Sequence, residues 1–184
     1  MMRNGKRKAA FGNEQGITLI EVMTVVAILG ILLAALGFSF QGWLAKYKVE
    51  DETKRLYADL MDARARAMQR KRFTFVDLGD TTRYRTYEDT QPSPDGDESL
   101  NAGADRLVAD SQAIWPGGLP YPIDNTAPGF VSQVSFNKEG LATVPSATIR
   151  FASGLAPDYD CITIRTTRIR MGRYDGGSSI CQEK

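Results

Sequence analysis

Few residues of this chain have side chains that could act as catalysts or hold a metal ion. Its 184 residues include no histidine, which excludes nucleophiles activated by an imidazole and zinc sites that need one. The two cysteines, Cys161 and Cys181, are too few for a four-thiolate site and too far apart for a CxxC redox pair. No glycine-rich phosphate-binding motif is present. We therefore expect no catalytic residues, no metal ligands and no cofactor.

Arginines are concentrated near the C-terminal end, in a pattern that could bind phosphate. The set comprises Arg165, Arg168, Arg170 and Arg173. The first three alternate with isoleucines, so that a β-hairpin would turn them outward. Residues 161–184 hold five basic and two acidic residues, whereas residues 17–160 hold 14 and 19. A basic edge on an acidic region is typical of contact with a nucleic-acid backbone; the simpler interpretation is that solvated arginines keep sheet edges from associating.

Glu21 stands at the start of a long apolar segment. Residues 22–45 contain no charged side chain, and as a helix they would cover roughly 36 Å, more than the ~30 Å hydrocarbon thickness of a bilayer. Residues 1–16 carry four basic side chains and one acid, which favours a cytoplasmic N terminus and export of the part beyond the segment. A cleaved signal peptide is the alternative, but its apolar region is shorter and ends at a small-x-small site. We therefore predict a membrane-spanning helix.

The helix is expected to continue beyond the apolar segment. From residue 46 to residue 72 the sequence is charged and contains neither proline nor glycine. Apolar residues recur at helical spacing and form one stripe: Val49, Leu56, Leu60, Ala63 and Ala67. Such a stripe faces a core on one side of an amphipathic helix.

The residues after Arg72 predict a β-rich region with long loops. Short segments alternate apolar and polar residues; they cover 73–77, 83–88, 106–110, 130–136, 147–152, 161–165 and 167–171. Two loops rich in proline and glycine, 89–105 and 116–129, separate some of them. The acids Asp95, Asp97 and Glu98 lack the glutamate of an EF-hand and are more typical of a turn. We expect an α+β fold in which a small antiparallel sheet or sandwich packs on the helix stripe.

The residues around Glu21 form a recognisable motif. Gly16-Ile17-Thr18-Leu19-Ile20-Glu21 follows the basic leader and precedes the apolar helix. This arrangement resembles the prepilin cleavage and methylation site of type IV pilins and type II secretion pseudopilins. The resemblance implies that a prepilin peptidase cuts between Gly16 and Ile17, removes residues 1–16 and methylates the new N terminus. Two residues depart from the usual pattern: Ile17 replaces a more common phenylalanine, and Phe38 stands where many pilins have a helix-kinking proline.

The same resemblance gives Glu21 a role in assembly. After cleavage, the Ile17 ammonium of a neighbouring subunit could neutralise the Glu21 carboxylate as subunits join in apolar surroundings. Forming a buried charge pair gains little net free energy, whereas removing one partner costs roughly 3–5 kcal/mol. The pair would therefore set the register of the subunits. The alternative is that Glu21 interacts only with the dipole of its own helix.

Segments of the C-terminal half resemble one subgroup of this family. The segment 136–140, the strand at 148–152 and a terminal hairpin over 162–171 resemble the GspH/FimT group, which includes the type II secretion minor pseudopilin H and FimU-like minor pilins. The implied fold is pilin-like, with residues 17–45 as transmembrane and filament-core helix and residues 46–184 as a periplasmic head. The implied function is a non-enzymatic minor pilin that primes or caps a type IV pilus. The alternatives are pseudopilin H and a FimT-like DNA-binding subunit, whose GRxR element resembles Thr167–Arg170 except for the threonine.

The resemblance also implies a location and partners. The chain would cross the bacterial inner membrane once, with a cytoplasmic N terminus and a periplasmic head, and then enter a pilus or pseudopilus. Its partners would be prepilin peptidase, the inner membrane, other pilins or pseudopilins bound through the helix and, in the DNA-uptake alternative, DNA. In the oxidising periplasm Cys161 and Cys181 are expected to pair, tying residues 176–184 to the sheet. Two free buried thiols are the alternative.

Overall fold

A computed structural model describes residues 16–94 and 96–184, without the side chains of residues 35–40. The predicted leader up to residue 15, Asp95, and the Phe38 side chain therefore lie outside the described residues. The chain divides into two compact units, one ending at Gln41 and the other spanning Gly42–Lys184. Helix α1, Leu19–Arg70, contributes residues to both units.

In the first unit, α1 begins at a threonine cap. The Glu21 amide donates to Thr18 Oγ1 at 3.3 Å, and the amides of Glu21 and Val22 both donate to the Thr18 carbonyl. A threonine in this position satisfies amides that have no partner within the helix. Apolar side chains along this part of α1 are exposed, for example Ile20 at 66% and Leu33 at 68%. Over the described residues, no helix has an apolar stretch of sufficient length to cross a membrane.

In the second unit, the helical stripe packs as expected. Val49, Leu56, Leu60, Ala63 and Ala67 are each 0% exposed, which confirms the predicted core face of the helix. The helix ends at Arg70, two residues before the predicted end. The reason is Lys71, whose φ of 56° places it in the left-handed conformation that commonly terminates a helix.

Eight strands are present in the described chain, and they form two antiparallel sheets. Their bounds are β1 Thr74–Asp80, β2 Arg83–Glu88, β3 Arg106–Asp110, β4 Gln133–Phe136, β5 Ser146–Arg150, β6 Cys161–Arg165, β7 Arg168–Asp175 and β8 Ile180–Glu183. The first sheet has the order β3-β2-β1-β4 and the second β5-β6-β7-β8. Their buried side chains and the α1 stripe form one apolar cluster, in which Val76, Val134 and Ile149 are each 0% exposed. The expected α+β architecture is confirmed.

Strand boundaries differ from the predicted ones in several places. Strands β2, β3 and β6 have the predicted bounds, whereas β1 continues to Asp80 and β7 continues to Asp175. Strand β4 begins only at Gln133, because the Phe130 amide bonds to the Ala127 carbonyl in a turn. Strand β5 ends at Arg150, and Phe151 makes only an isolated bridge with Ile123.

The long loop after β2 is held by two buried carboxylates. Asp89 accepts hydrogen bonds from the amides of Asp97 and Glu98, at 3.3 and 2.8 Å. Asp105 accepts hydrogen bonds from three further loop amides, those of Thr90, Gln91 and Asn101. Each carboxylate thus satisfies backbone donors that would otherwise lack partners inside the loop. Backbone amides of the loop are thus the described partners of both carboxylates.

Candidate functional site

The residues of the N-terminal motif lie at the start of α1. Gly16 and Ile17 precede the helix, and the Ile17 side chain is 77% exposed. Glu21 lies in the first turn and shares one surface depression with Ile17 and with the valines at 22, 25 and 26. A carboxylate flanked by exposed apolar side chains is a group that a second subunit can neutralise while it covers those side chains.

Three of the four arginines share one face of the second sheet. Arg165 and Arg168 are directly paired residues of β6 and β7, and Arg170 pairs with Thr163. Their side chains are 56%, 51% and 51% exposed, so each guanidinium is accessible from solvent. Alternation therefore places these three cations outward, as the sequence predicted.

Glu183 joins this group, and the sequence analysis missed it. Its carboxylate lies 4.0 Å from both the Arg165 and Arg168 guanidinium groups and 3.4 Å from that of Arg170. The Thr163 hydroxyl also donates to Glu183 Oε1, at 3.1 Å. We call these four charged residues, Arg165, Arg168, Arg170 and Glu183, the arginine face. It carries three positive charges around one negative charge, so a net positive field remains for an anion.

Arg173 does not belong to the arginine face. It lies three residues after Arg170 on the same strand, so it points to the opposite side of the sheet. There it is close to Asp158, whose pKa is lowered first by its hydrogen bond to Lys184 and more weakly by Arg173. The sequence analysis predicted a shared outward face for the other three arginines only, and a contribution of Arg173 to anion binding stays a prediction. Alternation would have placed Arg173 on that side if the sequence had indicated that the strand continues beyond Met171.

A disulfide and a glycine hold β8 in the position from which Glu183 reaches the arginine face. Cys161 on β6 and Cys181 on β8 form a disulfide, with their Cα atoms 6.0 Å apart. The bond passes over Gly172 of β7, which pairs with Cys161 on one side and with Glu183 on the other. A Cβ at Gly172 would collide with the Gln182 carbonyl and approach the Cys181 sulfur. Glycine is thus required where three strands and the disulfide meet.

A buried carboxylate fixes the neighbouring part of β7. Asp160 is 4% exposed and accepts a hydrogen bond from the Tyr174 amide at 2.6 Å. Burial raises the pKa of Asp160, while the hydrogen bond from Tyr174 offsets part of the rise. The contact ties the end of β7 to the residue before Cys161, and so supports the geometry of the disulfide.

The helix start and the two-sheet head define the class: a pilin-like protein. Two family models match the sequence: the prokaryotic N-terminal methylation motif over residues 12–37 and the type II transport protein GspH over residues 52–168, more than half of the chain. The chain therefore belongs to the GspH family of type IV pilin-like proteins. Membership implies processing by prepilin peptidase and assembly with other pilins, in a membrane-anchored pilus or pseudopilus.

Further comparisons concern individual proteins. No curated protein matches the sequence. Among solved structures, two crystal forms of the type IV minor pilin FimU from Pseudomonas aeruginosa are similar, both at 14% identity. One has a TM-score of 0.48 and covers 74% of this chain and 95% of FimU; the other has a TM-score of 0.45 and covers 73% and 98%. The GspH match ends at residue 168, so Arg170, Cys181 and Glu183 lie beyond it.

Proposed function

We propose that the chain is a minor pilin of a type IV pilus, incorporated at low abundance to prime or cap the filament. The observation that carries this proposal is the methylation motif at residues 12–37 followed in the same chain by a GspH head at residues 52–168. Residues 1–16 are the leader, cleaved before Ile17, and residues 17–45 are the transmembrane and filament-core helix. Residues 46–184 form a periplasmic head on an inner-membrane subunit whose N terminus is cytoplasmic. The secretion pseudopilin H is the alternative for the same architecture.

Glu21 is the residue that we assign to register between subunits. It lies one helical turn after Ile17, whose amino group becomes a cation on cleavage, among exposed apolar side chains. In an apolar filament core the carboxylate needs a positive partner, and the Ile17 ammonium of a neighbour supplies one. A Glu21→Ala variant should therefore be processed normally and fail to enter pili.

N-terminal analysis of the native protein tests the proposal. We expect a chain that begins at methylated Ile17 and co-purifies with sheared pili, and that loses both properties in a strain without prepilin peptidase. An intact Met1, or a cut beyond residue 45 that frees a soluble head, contradicts the proposal. Recovery of the protein with secretion components and not with pili favours the pseudopilin alternative.

The arginine face supports a second candidate function, binding of DNA. Three exposed guanidinium groups lie on one face of the sheet, all within 4.0 Å of Glu183. The planar guanidinium group of arginine matches phosphate oxygens, and such contacts weaken as salt rises because the release of counterions from DNA then gains less free energy. Glu183 opposes an approaching phosphate, so this carboxylate limits the affinity.

Gel shifts with the full chain in detergent separate DNA binding from a role in protecting the sheet edge. Replacement of both Arg168 and Arg170 by alanine should abolish the shift, and each single alanine variant should reduce the slope of log affinity against log salt by roughly 1. Glu183→Gln should strengthen binding, because it removes the competing carboxylate. Arg173→Ala is the matched control and should leave binding unchanged. Absence of any shift for the unaltered chain near ~50 mM salt, where phosphate contacts are strong, leaves only the sheet-edge role.

A further inference from the structure

Glu52 is a carboxylate without a hydrogen-bond partner inside the head. It lies on α1 among the core residues of the helical stripe and is 2% exposed. Neither of its carboxylate oxygens makes a hydrogen bond to any described group. A buried carboxylate normally has a cation or several donors around it, because its desolvation is otherwise uncompensated. The arginine face and the N-terminal motif do not involve this residue.

Glu52 lines a cavity whose walls are mainly apolar. The cavity has a volume of about 460 Å³. Besides Glu52, it is lined by Leu44, Tyr47, Lys48, Asp51, Trp115 and Pro120. The first four belong to α1, and the last two belong to the loop between β3 and β4. A space of this size, with the Glu52 and Asp51 carboxylates in a mainly apolar lining, suits a long side chain with a positively charged end.

The charges around Glu52 favour a cation over a neutral ligand. Asp51 is adjacent on α1 and adds a second negative charge; from the other packed elements, the Tyr121 amide and the Tyr84 hydroxyl face Glu52. The Tyr84 hydroxyl is engaged as a donor to Asp59, at 2.7 Å. Burial raises the pKa of Glu52 to about 7; the Tyr121 amide offsets part of this rise, and Asp51 adds a smaller increase.

No described cation of α1 forms an ion pair with Glu52. Lys48 lies one turn before Glu52 on the exposed side of the cavity, and no ion pair within 4.0 Å joins the two among the described residues. Lys54 is exposed and pairs with Glu50 at 3.1 Å, and Arg55 is also exposed. Among the described residues, no cation therefore pairs with this buried carboxylate.

We propose that this cavity receives the arginine or lysine side chain of a neighbouring filament subunit, whose cation pairs with Glu52. The inference rests on the proposed function, since it assigns the partner as another pilin. The aliphatic stem would pack against Trp115, Tyr47 and Pro120, and the cation would meet the carboxylate in a site with little water. The apolar walls suit the aliphatic stem of such a side chain, and the unpartnered carboxylate suits its cationic end.

Assembly of full-length variants tests the proposal. Glu52→Gln keeps the shape of the side chain and removes its charge, and we expect the fraction in sheared pili to fall by about tenfold or more. Lys48→Ala should assemble normally, which excludes Lys48 as the partner. Asp62→Asn, which removes an exposed carboxylate on the same helix, is the matched control. Normal assembly of Glu52→Gln overturns the proposal, whereas absence of even the unaltered chain from pili contradicts the proposed function instead.

A second measurement does not depend on assembly or on the stability of the variant. The full chain in detergent, with ¹³C-labelled glutamate, is titrated with and without butylguanidinium. A cation in the cavity should lower the pKa of Glu52 by roughly 1 unit or more, and butylurea, its neutral analogue, should not. An unchanged Glu52 titration in butylguanidinium, or an equal effect of butylurea, overturns the proposal.

Discussion

Glu52→Gln should change how the stability of the protein depends on pH. Burial raises the pKa of Glu52 from 4.5 to about 7 in the folded chain. Between these values the folded state binds more protons than the unfolded state, so the free energy of unfolding falls as pH rises. The loss is nearly complete by about pH 8 and amounts to about 3 kcal/mol, at 1.36 kcal/mol per pKa unit. Glutamine has no titrating group and removes this dependence.

The difference between variant and unaltered chain isolates this effect. The unpartnered amide of glutamine carries its own desolvation penalty, but that penalty is the same at every pH. We therefore expect the difference in unfolding free energy to move by about 3 kcal/mol in favour of Glu52→Gln between pH 4.5 and pH 8. For a chain of this size that corresponds to a relative rise in Tm of roughly 6–12 °C. Thermal unfolding of the full chain in detergent, followed by circular dichroism at several pH values, measures it.

The control for this prediction is a carboxylate that is already solvated. Asp62 pairs with Arg66 on the exposed face of α1, at 2.6 Å, and its side chain is 56% exposed. Asp62→Asn should shift stability by no more than about 0.5 kcal/mol at any pH. A difference between Glu52→Gln and the unaltered chain that stays flat from pH 4.5 to pH 8 refutes the reasoning, because Glu52 would then be solvated or already paired.

Three further predictions concern the core and the second sheet. Leu56→Ala should lower the unfolding free energy by about 2–5 kcal/mol, and Met61→Ala, at a site 39% exposed, by much less; a chemical denaturation series compares them. Gly172→Ala should speed amide hydrogen exchange in β8 because its Cβ would strike the Gln182 carbonyl, whereas Gly176→Ala, with open space around it, should not. Cys181→Ser should lower the free energy of unfolding by roughly 3 kcal/mol, and reduction of the unaltered chain should lower it by the same amount. Mass mapping that finds both thiols alkylatable in the exported protein would contradict this prediction.

The helix and most strands could be predicted from local pattern. Five apolar residues at helical spacing identified the core face of α1, because a helix has a strong period and this one packs on a single side. Strand β8 could not be predicted in this way. It has four residues after a Gly-Gly-Ser-Ser turn, and its position depends on pairing with β7 and on the disulfide. Both are contacts between segments, so no local pattern specifies them.

The candidate sites, too, could be predicted only where a local pattern specifies them. Alternation correctly predicted that Arg165, Arg168 and Arg170 share a face, but the approach of Glu183 depends on the unpredicted β8. Glu52 was within reach of sequence reasoning. It stands three residues after Val49 and four before Leu56, at a core position of the helical repeat. A glutamate at such a position is a signal for a buried charge, although only the three-dimensional structure shows that the charge has a cavity beside it.

A buried carboxylate without a partner is a stability penalty that selection would remove if the isolated subunit were the working state. Replacing a buried charge by an apolar or amide side chain is often neutral or stabilising in a single chain. Glu52 lowers the stability of the free subunit at neutral pH, since burial disfavours its charged form. A neighbour's cation would reverse the sign of that contribution, because a paired carboxylate is favoured in its ionised form. The penalty in the free subunit then becomes part of the free-energy difference that favours assembly, and it discriminates against neighbours that offer no positive side chain.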